Sequence, residues 1–218
     1  MVPLAPHLRH FALDLQHFSR AFRGTDFKYI DSLPPDRHFK ELKILPVKEL
    51  VYYGIKDQDA PLGEGGVHLE AEEYHKMLGE KDTVVIDVRN YYETVIGRIQ
   101  PPEGGAEFLD PMMRNSREFP KWLNAPETRE KLNGKRVLMY CTGGIRCDVY
   151  STVLREQGYS NVMTLEGGVQ AYFDEYGKRD DQLWDDHLFV FDSRLAMAPD
   201  GRPSAEHGEA AATLRCYC

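Results

Sequence analysis

A single cysteine stands where an apolar stretch of the chain meets a glycine-containing turn, and this placement suits nucleophilic chemistry. The stretch "RVLMY" at 136–140 has the character of a buried strand, and Cys141 follows it directly. In a parallel sheet, chemistry is concentrated where strands end and helices begin. Gly143 and Gly144 leave the backbone free to curl, so that its N–H groups can point toward one centre. We therefore interpret Cys141 as a candidate nucleophile.

The residues after this cysteine predict a cradle for a negatively charged sulfur atom. A helix is predicted to begin near Arg146, and its positive end adds to the field of the exposed N–H groups. These N–H groups, the helix end and the Arg146 guanidinium all stabilise a thiolate. We therefore expect the pKa of Cys141 to lie below that of a free cysteine. The predicted cradle consists of Thr142, Gly143, Gly144, Ile145 and Arg146.

The spacing between the cysteine and the arginine separates two chemistries. Cysteine phosphatases wrap a phosphate in a Cys-x5-Arg loop, whereas this chain has Cys-x4-Arg, and Cys147 stands where the longer loop carries its arginine. The smaller ring suits a single extra sulfur atom better than a tetrahedral phosphate. Cys147 also shares a helical stripe with Tyr150 and Leu154, which favours a place in the core. A role as a resolving thiol is the alternative interpretation of Cys147.

Strands and helices are predicted to alternate around this loop. Apolar strands are predicted at 83–88, 136–140, 161–165 and 187–192, with helices at 69–78, 146–158 and 168–177, a broken helix at 117–134 and a long loop at 89–111. Apolar strands that alternate with helices imply a parallel sheet covered by helices on both faces. We therefore predict an α/β fold for residues 67–194.

The chain before this domain is predicted to form a smaller unit. Apolar residues recur at helical spacing from Phe11 to Phe22, and extended stretches follow them up to Gly54. One helix with two or three strands makes a partial α+β unit over residues 1–56. The polar, glycine-rich run at 57–66 is predicted to be a linker, and residues 195–218 are predicted to be a flexible tail.

Charge and cysteine usage restrict the partners and the compartment. The net charge is −8, yet residues 1–56 hold nine Lys and Arg against six Asp and Glu. A basic segment on an acidic protein permits contact with a polyanion, and the candidate contacts are Lys40, Lys43 and Lys48. No apolar run approaches the ~20 residues of a membrane helix, so no membrane partner is predicted. The four cysteines do not resemble a disulfide framework, which predicts a reducing, cytoplasmic location. No metal is predicted, because Cys216 and Cys218 provide only half of a zinc site.

Several segments resemble the rhodanese family of sulfurtransferases. The similar segments are "DVRNYYE" at 87–93, "GRI" at 97–99, "CTGGIR" at 141–146 and "LEGGVQAY" at 165–172. The resemblance implies that Cys141 carries sulfur as a persulfide and that Arg146 faces an anionic donor such as thiosulfate. Asp87 and Arg89 match the family's Asp-x-Arg element, and they are either part of the active-site side of the sheet or a structural ion pair.

Within that family, the chain is most similar to the tRNA uridine hydroxylase group. The shared strings are "CTGGIRC", "REFPKW" at 117–122 and "LWDDHLFVFDSR" at 183–194. This resemblance implies a ferredoxin-like N-terminal domain, tRNA as a partner and molecular oxygen as a co-substrate, and it suggests that Cys147 takes part in the chemistry. Three functions stay open: oxygen-dependent hydroxylation of the wobble uridine, sulfur transfer from thiosulfate or a protein persulfide, and a non-catalytic binding module of rhodanese fold.

Overall fold

Two compact units divide the chain, Met1–Leu45 and Pro46–Cys218. The computed structural model describes residues 5–25, 27, 46, 51–55, 65–191 and 196–199. In the first unit, helix α1 spans Ala5–Phe18 and a short 3-10 helix follows at Arg20–Phe22. The strands and the ferredoxin-like arrangement predicted for the N-terminal part fall almost entirely on residues outside the described ranges.

A five-stranded sheet forms the centre of the second unit. Its strands are ordered β1-β6-β5-β2-β4, and every neighbouring pair is parallel. The predicted α/β architecture with a parallel sheet is confirmed. Two short antiparallel pairs, β3 with β7 and β8 with β9, lie outside this sheet. The strands, in chain order, are β1 (Val67–Leu69), β2 (Thr83–Asp87), β3 (Gly97–Ile99), β4 (Glu107–Leu109), β5 (Arg136–Tyr140), β6 (Val162–Leu165), β7 (Trp184–Asp186), β8 (Leu188–Phe189) and β9 (Ala196–Met197).

Helices cover both faces of the sheet, as the alternating pattern predicts. On one face, apolar residues of α2 and α7 pack against Val85 and Leu138. On the other face, residues of α4, α5 and α6 pack against Ile86 and Met139. Because successive strand residues point to opposite faces, strands buried on both sides must be apolar throughout. The helices are α2 (Ala71–Leu78), α3 (Tyr91–Thr94), α4 (Phe119–Leu123), α5 (Pro126–Leu132), α6 (Ile145–Glu156) and α7 (Gly168–Tyr176).

The prediction of a continuous loop at 89–111 is wrong. This stretch contains α3, β3 and β4, each of only three or four residues. Elements this short are stabilised by their partners: β4 pairs with β2, and β3 pairs with β7. The single strand predicted at 187–192 is likewise replaced within the described residues by β8, which spans only Leu188–Phe189. Local patterns carry little information on such short pairings.

A segment just before the glycine-rich run belongs to the second unit and packs into its core. Tyr53 is buried in the cluster of α4, α5 and α6, and Val51 and Ile55 pack against that cluster. The sequence interpretation assigned these residues to the N-terminal unit. Among the described residues, no helix is both long and apolar enough to cross a membrane.

Candidate active site

Cys141 is the first residue after β5, and a tight turn separates it from α6. Gly144 takes a φ of 90°, a left-handed conformation that glycine adopts without the penalty of a Cβ atom. This turn brings the backbone N–H of Gly144 to 3.1 Å from the Cys141 sulfur, to which it donates a hydrogen bond. The sulfur is therefore held by the backbone of its own loop, in the arrangement that the glycine spacing predicts.

The environment of Cys141 favours its thiolate form. Its pKa is lowered to about 6, first by a hydrogen bond with the Cys147 thiol, and further by the charge of Arg146 and by backbone hydrogen bonds. These effects outweigh the burial of the side chain, which raises the pKa. At neutral pH the sulfur is consequently charged, and a thiolate is the nucleophilic form of cysteine.

Cys147 lies in the core beside this thiolate. It is fully buried together with Tyr150 and Leu154, the residues of the predicted helical stripe. Burial and the neighbouring Cys141 raise the pKa of Cys147 well above its usual value. Cys147 is therefore a neutral thiol that can donate its proton to a hydrogen bond with the Cys141 sulfur.

Arg146 is held by a carboxylate that the sequence interpretation did not include among the site residues. Its Nη1 and Nη2 atoms donate to Oε1 and Oε2 of Glu93 at 2.6 and 2.8 Å. The Glu93 side chain is completely buried, and that of Arg146 is 9% exposed. The hydroxyl of Thr142 joins the pair, 3.3 Å from Arg146 Nη2 and 3.4 Å from Glu93 Oε2. The side chains of Thr142 and Arg146 in the predicted cradle therefore form one hydrogen-bonded network with Glu93.

Glu93 is positioned by its own short helix. It accepts a hydrogen bond from the backbone N–H of Asn90 at 3.0 Å, which forms a capping box at the start of α3. The spacing of Asn90 and Glu93 in "NYYE" is a capping signal that is visible in the sequence. That signal predicts a helix start, but the pairing with Arg146, 53 residues away, is not encoded locally.

The start of α7 supports the cysteine loop from behind. The backbone N–H groups of Val169 and Gln170 donate to the carbonyl oxygens of Cys141 and Thr142 at 3.0 and 3.2 Å. A Cβ atom on Gly168 would lie only 2.6 Å from both of these oxygens. The glycines of "LEGGVQAY" therefore allow α7 to approach the loop closely.

Asp87 and Arg89 form a buried ion pair behind the loop. Both side chains are fully buried, and Arg89 Nη2 lies 2.6 Å from Asp87 Oδ2. Asp87 also accepts hydrogen bonds from Tyr140 and Thr94, and Arg89 donates to the carbonyl of Gly97. These contacts connect β2, α3, β3 and β5, which is the arrangement of a structural ion pair.

A cavity of about 460 Å³ is lined in part by Cys141. Apolar side chains of Val51, Ile145 and Phe191 form part of its wall, and Asn90 and Ser116 add polar groups. Tyr53 stands nearby, where its hydroxyl donates to the carbonyl of Ile145 at 3.4 Å. The remaining lining residues are Cys141, Thr142, Gly143 and Arg146.

The structure brings most of the predicted loop residues together around one cavity. The other predicted site residues do not line that cavity. Thr142, Gly143, Ile145 and Arg146 line the cavity with Cys141, whereas Cys147, Asp87 and Arg89 lie in the core. Lys40, Lys43, Lys48, Cys216 and Cys218 lie outside the described residues. Within the described ranges, no group of three His, Cys, Asp or Glu side chains is placed to hold a metal ion.

Fold and site together define a parallel α/β domain built around an ionised cysteine in a loop lined by backbone N–H groups. Residues 70–175 match the family model described as "Rhodanese-like domain". The chain therefore contains a rhodanese-like domain, as the sequence motifs indicate.

Curated relatives extend the likeness beyond this domain. A protein named "tRNA uridine(34) hydroxylase" from Prochlorococcus marinus (strain MIT 9515) is 34% identical over 168 residues, which are 76% of this chain and 52% of the relative. A protein of the same name from Streptococcus suis (strain 05ZYH33) is 35% identical over 190 residues, covering 85% of this chain and 55% of the relative. The chain spans about half the length of the curated relatives that it matches.

Solved structures show lower similarity. The rhodanese-like domain of a protein from Anabaena sp. has a TM-score of 0.39 and 18% identity, covering 55% of this chain and 78% of that chain.

Proposed function

We propose that this chain is a tRNA-modifying enzyme that takes part in hydroxylation of the wobble uridine, with Cys141 as its reactive thiol. The observation that carries the proposal is that Cys141, with a pKa lowered to about 6, lines a cavity. Support for the substrate comes from the relatives named tRNA uridine(34) hydroxylase. Molecular oxygen would be the co-substrate, and the reducing cytoplasm the compartment.

The cavity suits a base better than it suits a backbone segment of RNA. A single-stranded base can leave its stack and enter a pocket, where apolar walls and a few polar groups bind it. Val51, Ile145 and Phe191 supply such walls, and Asn90 and Ser116 add polar groups. The anticodon loop, which carries the wobble position, is single-stranded and can present its base in this way.

Cys141 is proposed to act as a nucleophile that carries sulfur. Its thiolate would attack the outer sulfur of a donor persulfide, R–S–SH, to form Cys141–S–SH and release R–S⁻. The N–H groups of the loop, which already include a hydrogen bond from Gly144 to the sulfur, would then hold the charged persulfide. This step is proposed to prepare the enzyme for its action on tRNA.

The decisive test is complementation followed by mass spectrometry of tRNA nucleosides. In a strain lacking the activity, the full-length protein is expected to restore hydroxylated wobble uridine, and its Cys141→Ser form is expected to restore none at equal protein abundance. Serine keeps the shape of the side chain but lacks the nucleophilic sulfur. Rescue by the serine variant would show that the hydroxylation does not need the thiol.

Sulfur transfer without tRNA modification is the competing outcome of the same experiment. It predicts no rescue by the full-length protein, together with robust turnover of thiosulfate by the purified protein. That pair of results would replace the hydroxylase assignment with a general sulfurtransferase.

A further inference from the structure

We propose that Glu93 makes the Cys141 pocket selective for uncharged reactants and excludes small anions such as thiosulfate. It does so by occupying and neutralising Arg146, the one guanidinium that lines the cavity among the described residues. Glu93 is thus proposed as a specificity-determining residue.

The two hydrogen bonds between these side chains use a pair of Arg146 N–H donors that could otherwise bind an oxyanion. A guanidinium binds carboxylates and oxyanions through two parallel N–H donors. In this structure both donors of that fork point at Glu93, at 2.6 and 2.8 Å. Arg146 Nη2 also donates to the hydroxyl of Thr142. An incoming anion would therefore have to displace a buried carboxylate that has no access to water.

The remaining charges of the pocket also oppose an anion. Because the charges of Glu93 and Arg146 cancel, the Cys141 thiolate leaves the site negative. The Gly144 N–H group, which would otherwise attract an anion, already donates to the sulfur. Asp87 and Arg89 lie in the core and form a neutral pair. Electrostatic repulsion is strong in such a buried place, where the effective dielectric constant is far below that of water.

The selectivity fits the substrate of the proposed reaction. A uracil base carries no charge at neutral pH, so it can approach the charged sulfur held by Cys141 while the phosphates of the RNA stay outside the cavity. Dianionic thiosulfate cannot separate its charge from its reacting sulfur in this way. This inference rests on the proposed function only in treating Cys141 as the group that reacts.

A pair of alkylating reagents of the same shape can measure the selectivity directly. Iodoacetamide is neutral and iodoacetate is anionic, and both transfer a similar group to a thiolate. The ratio of their rates at Cys141, followed by peptide mass spectrometry and divided by the same ratio for free cysteine, isolates the effect of the pocket's charge. We expect this normalised ratio of iodoacetate to iodoacetamide to be reduced about tenfold or more in the wild-type protein.

Replacement of the carboxylate should remove the discrimination. In Glu93→Gln, the charge of Arg146 is no longer compensated, and the ratio is expected to rise by about tenfold, to near that of free cysteine. Glu107→Gln is the matched control, because it removes a carboxylate from an exposed pair with Lys131 and should leave the ratio unchanged. An unchanged ratio in a folded Glu93→Gln protein would overturn the proposal.

The wild-type protein provides a test that needs no variant. If the pocket excludes anions, sulfate should not protect Cys141 from iodoacetamide at constant ionic strength. Clear protection, or a wild-type ratio equal to or above that of free cysteine, would contradict the proposal even if Glu93→Gln does not fold. Because alkylation needs neither tRNA nor oxygen, a failed hydroxylation assay would leave this result standing.

Discussion

The carboxylate of Glu93 and the guanidinium of Arg146 form a buried pair of hydrogen bonds between residues that lie 53 positions apart. This pair joins the short helix α3 to the first turn of α6, directly beside the Cys141 loop. Burial of two opposite charges is favourable only when their geometry is good and their hydrogen bonds are satisfied. The reactive loop is therefore held by a partner from a different part of the chain.

The first prediction concerns the hydrogen bond between the two buried thiols. Cys147→Ala should raise the pKa of Cys141 above its value of about 6, because it removes the strongest stabilising interaction of the thiolate. A hydrogen bond to a charged group is worth roughly 1.5–3 kcal/mol, so we expect a rise of about one pKa unit or more. The rate of Cys141 alkylation by iodoacetamide across a pH series measures this pKa.

Cys147→Ser is the matched control for that experiment. Serine retains a hydroxyl donor of similar size, so the pKa of Cys141 should stay closer to the wild-type value than in Cys147→Ala. Alkylation should reach Cys141 well before Cys147 at neutral pH, since burial keeps Cys147 protonated. Faster labelling of Cys147 in the wild-type protein would refute this description of the two thiols.

The second prediction concerns the buried ion pair behind the loop. Asp87→Asn should lower the free energy of unfolding by about 3–5 kcal/mol, because it leaves the Arg89 charge buried without its counter-ion. Glu107→Gln breaks an exposed pair with Lys131 and should cost only about 0–1 kcal/mol. Urea denaturation at neutral pH compares the two variants, and equal losses would show that the buried pair is not structurally important.

The third prediction concerns the close approach of α7 to the cysteine loop. Gly168→Ala should destabilise the protein and disturb Cys141, because its Cβ atom would lie 2.6 Å from two loop carbonyl oxygens. Gly134→Ala is the control, since Gly134 has a similar positive φ but no atom within 4 Å of an added Cβ. Both variants incur about 1–2 kcal/mol of left-handed strain, and Gly168→Ala should lose roughly 1–3 kcal/mol more through overpacking.

Urea denaturation and the alkylation rate of Cys141 measure the two effects of Gly168→Ala. If Gly168→Ala and Gly134→Ala unfold at the same urea concentration, α7 does not constrain the loop as the hydrogen bonds of Val169 and Gln170 indicate.

The fourth prediction concerns the basic N-terminal part of the chain. Replacement of Lys40, Lys43 and Lys48 by alanine should weaken tRNA binding and make the affinity less dependent on salt. In a plot of the logarithm of the binding constant against the logarithm of the salt concentration, the slope should become less steep by about 0.7 for each phosphate that is no longer neutralised. A filter-binding titration at several salt concentrations gives this slope. Replacement of Lys76, Lys131 and Lys178, which all lie after residue 66, is the matched control. Equal reductions in both triple variants would argue against a specific role of the N-terminal lysines.

Local sequence patterns determine the frame of this protein. Apolar strands that alternate with amphipathic helices predicted the parallel sheet, and the run from β5 through the glycine turn into α6 placed Cys141 at a strand end. The helical spacing of Cys147, Tyr150 and Leu154 likewise predicted that Cys147 is buried. Such features depend on the period of side chains along a strand or helix, which can be read within a few residues.

Only the tertiary structure decided what surrounds the thiol. Glu93 pairs with Arg146, the N–H groups of α7 donate to the carbonyl oxygens of the loop, and Tyr53 packs into the core formed with α4, α5 and α6, although these residues are far apart in the sequence. The short strands β3 and β4 also exist only through their pairing with distant partners. Contacts between distant segments depend on how whole helices and strands pack. The periodicity of side chains within one element does not show which distant side chains that packing brings together.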